Sequence, residues 1–448
     1  MNTYVLVGGV AGGAGTAARL RRLDEKARII MFERGEHISY ANCGLPYYAG
    51  GVITERSRLF VVTAQRFQQV FNVEVKTRHE VLSIDREART VRVKHLETGE
   101  TFDQYYDTLV LSTGAAPVRP RIPGIEDPSI FSLRSVGDID AIVSAVENPQ
   151  TTRAVVVGGG FIGLEMAENL KERQLKVTLV EAVDQVMNVI DYEMAAIVQQ
   201  HMRDKGVQLF LSDGVQSFTR EKGALQVKLN SGTVIETDIV ILSIGVRTDT
   251  ALAHDAALAL GKSGAITVDE QFTTSDPFIK ALGDAIEYPS ALTGKPVMVP
   301  LAGPANKQAR LVADAIVHGS CRPYRGTIAT SIAKVFDLTV ASTGMTMKQL
   351  KQADIPFAEL ITHGNNHAGY YPNALQLAVK ILYDPQCGRL YGGQAVGYDG
   401  VDKRIDVLAA YLKKEGAVDD LAEFEHAYAP PFSSAKDPLN MLGFMAQN

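Results

Sequence analysis

The 448-residue chain has no tryptophan, only three cysteines, and no unbroken apolar run of the roughly 18 residues a membrane helix needs. Each absence excludes a class of protein. Cys43, Cys321 and Cys387 are odd in number and far apart, which rules against a disulfide framework and a CxxC metal site. His363 and His367 lie beside Gly364 and Gly369 with no carboxylate at a regular spacing, so no metal site is expected there either. A net charge of -6 with 21% charged residues offers no basic face for nucleic acid or an anionic membrane. The chain runs straight into an apolar strand over 3–7 with no basic segment ahead of it, so a cytoplasmic protein is expected. At about 150 residues per domain, the length predicts roughly three domains.

What is present is glycine, placed twice in the same way. Tyr4-Val-Leu-Val-Gly8-Gly9-Val10-Ala11-Gly12-Gly13 reads as a buried parallel strand feeding a helix over 14–23, with a second strand over 29–33. Glycines there let the backbone approach a pyrophosphate at the positive end of the helix, and Glu33 can accept bonds from ribose hydroxyls. Val10 replaces the middle fingerprint glycine, so by itself this unit also reads as a plain tight turn. The second copy carries the full set, Gly158, Gly160 and Gly163, and closes with a strand over 177–181 that ends in Glu181. A carboxylate there favours a free 2′-hydroxyl and repels a 2′-phosphate, and Ala182 and Val183 supply no cation, so NADH is expected over NADPH. Two such units in one chain imply two dinucleotides and electron transfer between them.

Two further apolar strands end at glycine, 106–114 at Gly114 and 237–245 at Gly245. Gly283-Asp284 puts a carboxylate at a strand-to-helix turn, as either a flavin ribityl ligand or a helix cap. Cys43 stands alone in Ser39-Tyr-Ala-Asn42-Cys43-Gly-Leu-Pro-Tyr-Tyr48, where Gly44-Leu45-Pro46 suits a helix start. One thiol near a nucleotide turn suggests redox chemistry without an internal disulfide; the competing reading is a buried, inert thiol. Phe67 and Phe71, at helical spacing, line either the core or a substrate channel, with core preferred.

Over essentially its whole length the chain resembles the FAD- and NAD(P)H-dependent pyridine nucleotide-disulfide oxidoreductases. That resemblance implies an α/β fold with an FAD-binding domain from 1–150 and 250–323, an NADH-binding domain over 151–249 and an α+β dimerisation domain over 324–448. In the last, strands over 327–336, 379–383 and 390–396 precede helices over 403–414 and 418–423. It also assigns Gly283-Asp284 to the flavin. The single-cysteine branch matches best, because Ser39 occupies the place of the first cysteine of a CxxxxC pair. That branch holds coenzyme A disulfide reductases, persulfide or polysulfide reductases, NADH oxidases and NADH peroxidases. Its oxidases and peroxidases carry a histidine in the first glycine turn where this chain has Ala11, which favours the reductases.

The resemblance implies a homodimer whose partner subunit supplies Tyr370 and Tyr428 to face Cys43, with Tyr371 the rival of Tyr370. It points to Arg19 and Arg22, beside Ser39 and Asn42, as contacts for coenzyme A, although Arg19, Arg21 and Arg22 also read as a solvated basic face. Lys403-Arg404 at a helix start suggests a binding role or an interface salt bridge. The expected activity is NADH-dependent, FAD-mediated reduction of a coenzyme A disulfide, persulfide or polysulfide through Cys43, with electrons passing from nicotinamide to flavin to a mixed disulfide. The rival enzyme reading is an NADH oxidase or peroxidase that cycles Cys43 through sulfenic acid. A third is an electron carrier or redox sensor that reduces a partner protein.

Overall fold

Apolar runs with no alternation belong in sheets covered on both faces, and the chain builds two of these. In the computed structural model, which describes residues 1–221 and 223–447, the first parallel sheet runs Ile279–Ala281, Thr108–Leu111, Thr3–Val7, Arg28–Glu33, Glu74–Thr77. The second repeats the order with Ile130–Ser132, Ile239–Leu242, Arg153–Val157, Lys176–Val180 and Gln208–Phe210. In each, the glycine-ended strand lies centrally, so the strand order reverses beside it and a crevice opens at the carboxyl ends. Ile130–Ser132 and the helix Val136–Val146 pack with the second sheet although they precede residue 151.

The glycine helices begin earlier than their composition suggests. The first spans Ala11–Leu23, not 14–23, despite the poor helix propensity of Gly12 and Gly13. The reason is close packing: a Cβ on Gly13 would lie 1.8 Å from the Gly8 carbonyl oxygen, and one on Gly163 would lie 1.9 Å from that of Gly158. Val10 is tolerated because the middle position needs no special backbone. Val10 and Gly160 both have negative φ, and a Cβ on Gly160 meets nothing within 4 Å. Gly8 and Gly158, at φ +99° and +105°, are the positions that demand glycine.

The remaining chain forms a five-stranded antiparallel sheet, Ser331–Val335, Leu338–Gly344, Leu390–Gly397, Gln376–Tyr383, Ala358–Asn365, covered by helices Val401–Lys413, Val418–Glu423 and Pro438–Ala446. The strand expected over 327–336 is shorter, since Gly326 and Ala329 turn the chain at positive φ. This sheet is tied to the second unit. Glu168 accepts from the Phe336 amide at 2.9 Å, and buried Lys380 pairs with Asp191 at 3.0 Å. Among the described residues no helix is long and apolar enough to cross a membrane.

Candidate active site

The two glycine turns face one continuous cavity of about 2310 Å³, well above the roughly 1,000 Å³ upper range of single-ligand sites. Each turn is built identically. Glu33 accepts from the Gly9 amide at 2.8 Å and the Gly35 amide at 2.7 Å, one on each carboxylate oxygen. Glu181 accepts from Gly159 at 2.7 Å and Val183 at 3.1 Å in the same way. Each carboxylate is thereby aimed into the cavity with lone pairs left for ribose hydroxyls.

The first turn fits a flavin dinucleotide. Gly8, Gly12, Gly114, Gly283 and Asp284 line the cavity beside Glu33, and Arg134, which donates to the Thr113 carbonyl at 3.1 Å, adds a cation. Burial pushes the Asp284 carboxyl above its usual range, against the pull of Arg134. Asp284 lies in the short 3₁₀ turn Gly283–Ala285, which leads into the strand Ile286–Pro289 and not into the expected helix, so no following helix is there for it to cap. Gly158, Gly160, Gly245, Glu181 and Ala182 line the other lobe. Gly13 and Gly163 stay out of the cavity and pack helix on strand.

Cys43 lies where the lobes meet, in the 3₁₀ turn Asn42–Gly44 that leads into the helix Leu45–Ala49, with Ser39, Asn42, Leu45 and Pro46 beside it on the wall. Ser39 holds φ +46°, a left-handed conformation uncommon for serine, fixed by its amide on the Gly9 carbonyl and its carbonyl on the Val61 amide, both at 2.9 Å. The Cys43 thiol is exposed on the cavity wall, so it is not the buried core thiol of the competing reading. Cys321 and Cys387 are free and lie elsewhere. Burial, then the charges of Glu165 and Asp284, push the Cys43 thiol up.

Glu165 and Tyr47 were not legible as site residues. Glu165, on the helix Phe161–Glu172 after the second glycine turn, lines the cavity and accepts from the Tyr47 hydroxyl at 3.4 Å. Burial raises its carboxyl to about 7, against that hydrogen bond, and Glu168 adds to the rise. Its place directly after Gly163-Leu164 was the one available signal, but only folding brings it to the Cys43 loop.

Arg19, Arg21 and Arg22 fall outside the cavity wall. Arg19 pairs with Asp314 at 2.8 Å, and Arg22 stands over the Phe71 ring at 5.5 Å. Arg21 is consumed by five backbone carbonyls, those of Asp24, Glu25 and Ala27 after its helix and those of Phe71 and Asn72 at the end of the helix Ala64–Phe71. Phe67 is at once core and wall, and Phe71 also lines the cavity, so core and channel were not true alternatives. Tyr370 and Tyr428 meet hydroxyl to hydroxyl at 3.2 Å, 76% and 49% exposed, and neither lines the cavity of its own chain. Tyr371 instead packs on His367 at 5.7 Å, and His367 meets the Pro372 carbonyl at 3.2 Å. Among the described residues no cluster of His, Cys, Asp and Glu could hold a metal ion. Arg404 is buried in an ion pair with Asp437 of its own chain at 2.6 Å.

Comparison with known proteins agrees with this architecture. The family model for pyridine nucleotide-disulphide oxidoreductases matches residues 2–309, and that family's dimerisation domain matches residues 330–438. A coenzyme A disulfide reductase of Staphylococcus haemolyticus is 36% identical over 448 residues, covering all of both chains. The solved structure of reduced Bacillus anthracis CoADR-RHD superposes with TM-score 0.97 at 52% identity, over 100% of this chain and 80% of that one. A NAD-dependent persulfide reductase from A. fulgidus gives TM-score 0.96 at 37% identity, over 100% of this chain and 83% of that one. With two dinucleotide turns opening on one thiol and a family model spanning most of its length, the chain belongs to the pyridine nucleotide-disulfide oxidoreductases, enzymes that act on sulfur groups with a flavin and a pyridine nucleotide.

Proposed function

We propose that the chain is a homodimeric, NADH-dependent FAD enzyme that reduces coenzyme A disulfide or coenzyme A persulfide through Cys43 alone. The observation that carries this reading is the position of Cys43 as the one cysteine on the cavity shared by both dinucleotide turns. The names of the relatives, coenzyme A disulfide reductase and persulfide reductase, supply the substrate class. Glu181 and the cation-free neighbours Ala182 and Val183 support NADH as donor.

Cys43 attacks one sulfur of the substrate disulfide, forming a mixed disulfide and releasing the other half as a thiolate. Bound flavin supplies a two-electron relay from the nicotinamide to sulfur. The mixed disulfide accepts two electrons, its S–S bond breaks, and Cys43 thiolate and a second substrate thiolate are left. Each departing thiolate takes one proton, so one disulfide, one NADH and one proton give two thiols. Burial, with the charges of Glu165 and Asp284 added to it, makes the Cys43 thiolate scarce but more nucleophilic, since nucleophilicity rises with thiol pKa. The phenols of Tyr370 and Tyr428, brought by the partner subunit, donate the proton to the leaving sulfur. Their absence from their own chain's cavity and their exposure support a shared site. Ser39 and Asn42 on the wall hold the substrate near Cys43, and Arg22, over the Phe71 ring of the cavity wall, supplies charge for its phosphates; Arg19 joins it only by leaving its ion pair with Asp314.

The test is anaerobic NADH consumption by FAD-loaded enzyme with coenzyme A disulfide and coenzyme A persulfide in parallel. Cys43→Ser is expected to abolish turnover of both, by at least about a thousandfold, while NADH still bleaches the flavin. Substrate-independent NADH consumption that appears only with oxygen would move the reading to the oxidase.

A further inference from the structure

Tyr370 belongs to the turn 366–375 and Tyr428 to the loop 424–437. Both rings are exposed, so packing within the chain does not press their hydroxyls together. One side chain beneath them bonds both segments. Arg404, on the helix Val401–Lys413, is 1% exposed. Its Nη2 donates to the Asn366 carbonyl at 2.9 Å and to Asp437 Oδ2 at 2.6 Å, and its Nη1 donates to the Gly400 carbonyl at 3.1 Å.

The two acceptors anchor ends of the two tyrosine segments, while next to Tyr428 the Ala427 carbonyl also accepts from Ser433 Oγ at 2.9 Å and Lys403 Nζ at 3.5 Å. Asn366 closes the Tyr370 turn, its amide donating to the Leu375 carbonyl at 2.9 Å and its Oδ1 accepting from the Leu375 amide at 2.8 Å. Asp437 ends the Tyr428 loop and caps the helix Pro438–Ala446, accepting from the Leu439 amide at 3.1 Å. Gly400 leaves the guanidinium no slack: at φ +72°, a Cβ there would lie 2.3 Å from Nη1. A planar fork meets both directions at once, which a lysine ammonium cannot reproduce. Burial of the pair is weak evidence for a purely stabilising role, because a buried ion pair is often matched or bettered by apolar residues of the same volume.

We propose that Arg404, clamped by Asp437, is a positioning residue that fixes the hydrogen-bonded pair Tyr370–Tyr428 and thereby the delivery of its proton to the leaving sulfur. This rests on the reading that the pair faces Cys43 across the dimer. In the step, the phenol O–H bond breaks and an S–H bond forms on the departing thiolate; the phenolate recovers its proton from solvent through the second phenol. Within the pair, the hydrogen bond to Tyr428 is the main cause that raises the Tyr370 phenol above its usual range.

The experiment uses the FAD-loaded dimer with coenzyme A disulfide and NADH, in Arg404→Lys, Tyr428→Phe and the double variant. Expected are kcat losses of at least about tenfold in each single variant, KM within about twofold, and no further loss in the double. Flavin reduction by NADH stays at the wild-type rate. In parallel, 3-fluorotyrosine at position 370 is titrated by 19F NMR, and its midpoint falls in Arg404→Lys as the hydrogen bond opens. Multiplicative losses in the double variant, wild-type kcat in Arg404→Lys, slowed flavin reduction or an unmoved midpoint each overturn the proposal. If Arg404→Lys does not fold, Asp437→Asn, which keeps the cap but drops the charge, takes its place in the same cycle. Wild-type turnover in Tyr428→Phe sinks the parent reading instead, and the midpoint alone then decides whether Arg404 positions the pair.

Discussion

Glu165 shows how a single side chain can be silent in the sequence and informative in the fold. A glutamate one turn into a helix reads as solvent-facing, but here the cavity and Tyr47 enclose it and burial lifts its carboxyl to about 7. The sign of the pH effect follows. The folded chain holds a proton that the unfolded chain releases near pH 4.5, so stability is lost as pH rises from there through 7. Glutamine has no proton to lose. Glu165→Gln is therefore expected to match wild type near pH 4.5 and to exceed it above pH 7, by on the order of 3 kcal/mol at most. Thermal unfolding of the apoprotein across that range checks it, and a constant offset at all pH values would show that Glu165 is ordinarily ionised.

At the scale of elements, the two glycine turns share a geometry but serve different lobes, which makes them separable. Gly13→Ala drives a methyl into the Gly8 carbonyl, and Gly163→Ala does the same at Gly158, so each pushes its own helix off its own strand. Purified Gly13→Ala is expected to lose the flavin absorption band. Gly163→Ala is expected to keep the band while flavin reduction by NADH slows by at least about tenfold. Absorbance spectra and anaerobic stopped-flow traces distinguish them, and an exchange of the two phenotypes would reverse the assignment of the lobes. Both turns were readable from glycine spacing. The tolerance of Val10 was not, because the sequence does not reveal that the middle position keeps a negative φ.

For the whole molecule, the decisive question is whether one site draws on two chains. Cys43→Ser and the double variant Tyr370→Phe/Tyr428→Phe are each expected to be nearly inactive as homodimers. Co-expressed, half of the dimers are mixed, and each mixed dimer carries one site with an intact cysteine facing intact tyrosines. Activity should return to about a quarter of wild type. No recovery would mean that cysteine and tyrosines act within one chain, against their separation in this structure.

Local sequence determined whatever depends on backbone chemistry over a few residues: both strand–glycine–helix turns, the carboxylates Glu33 and Glu181 that end their second strands, and a lone Cys43 at a helix start. These signals are short-range, because glycine and strand hydropathy act where they stand. Tertiary structure alone decided what meets what. It brought Glu165 to the Cys43 loop, turned Arg19 to Asp314, and buried Arg404 under two loops that the sequence separates by about sixty residues. A charged residue's partner is set by packing, and no local pattern around Arg404 distinguishes a surface charge from a clamp.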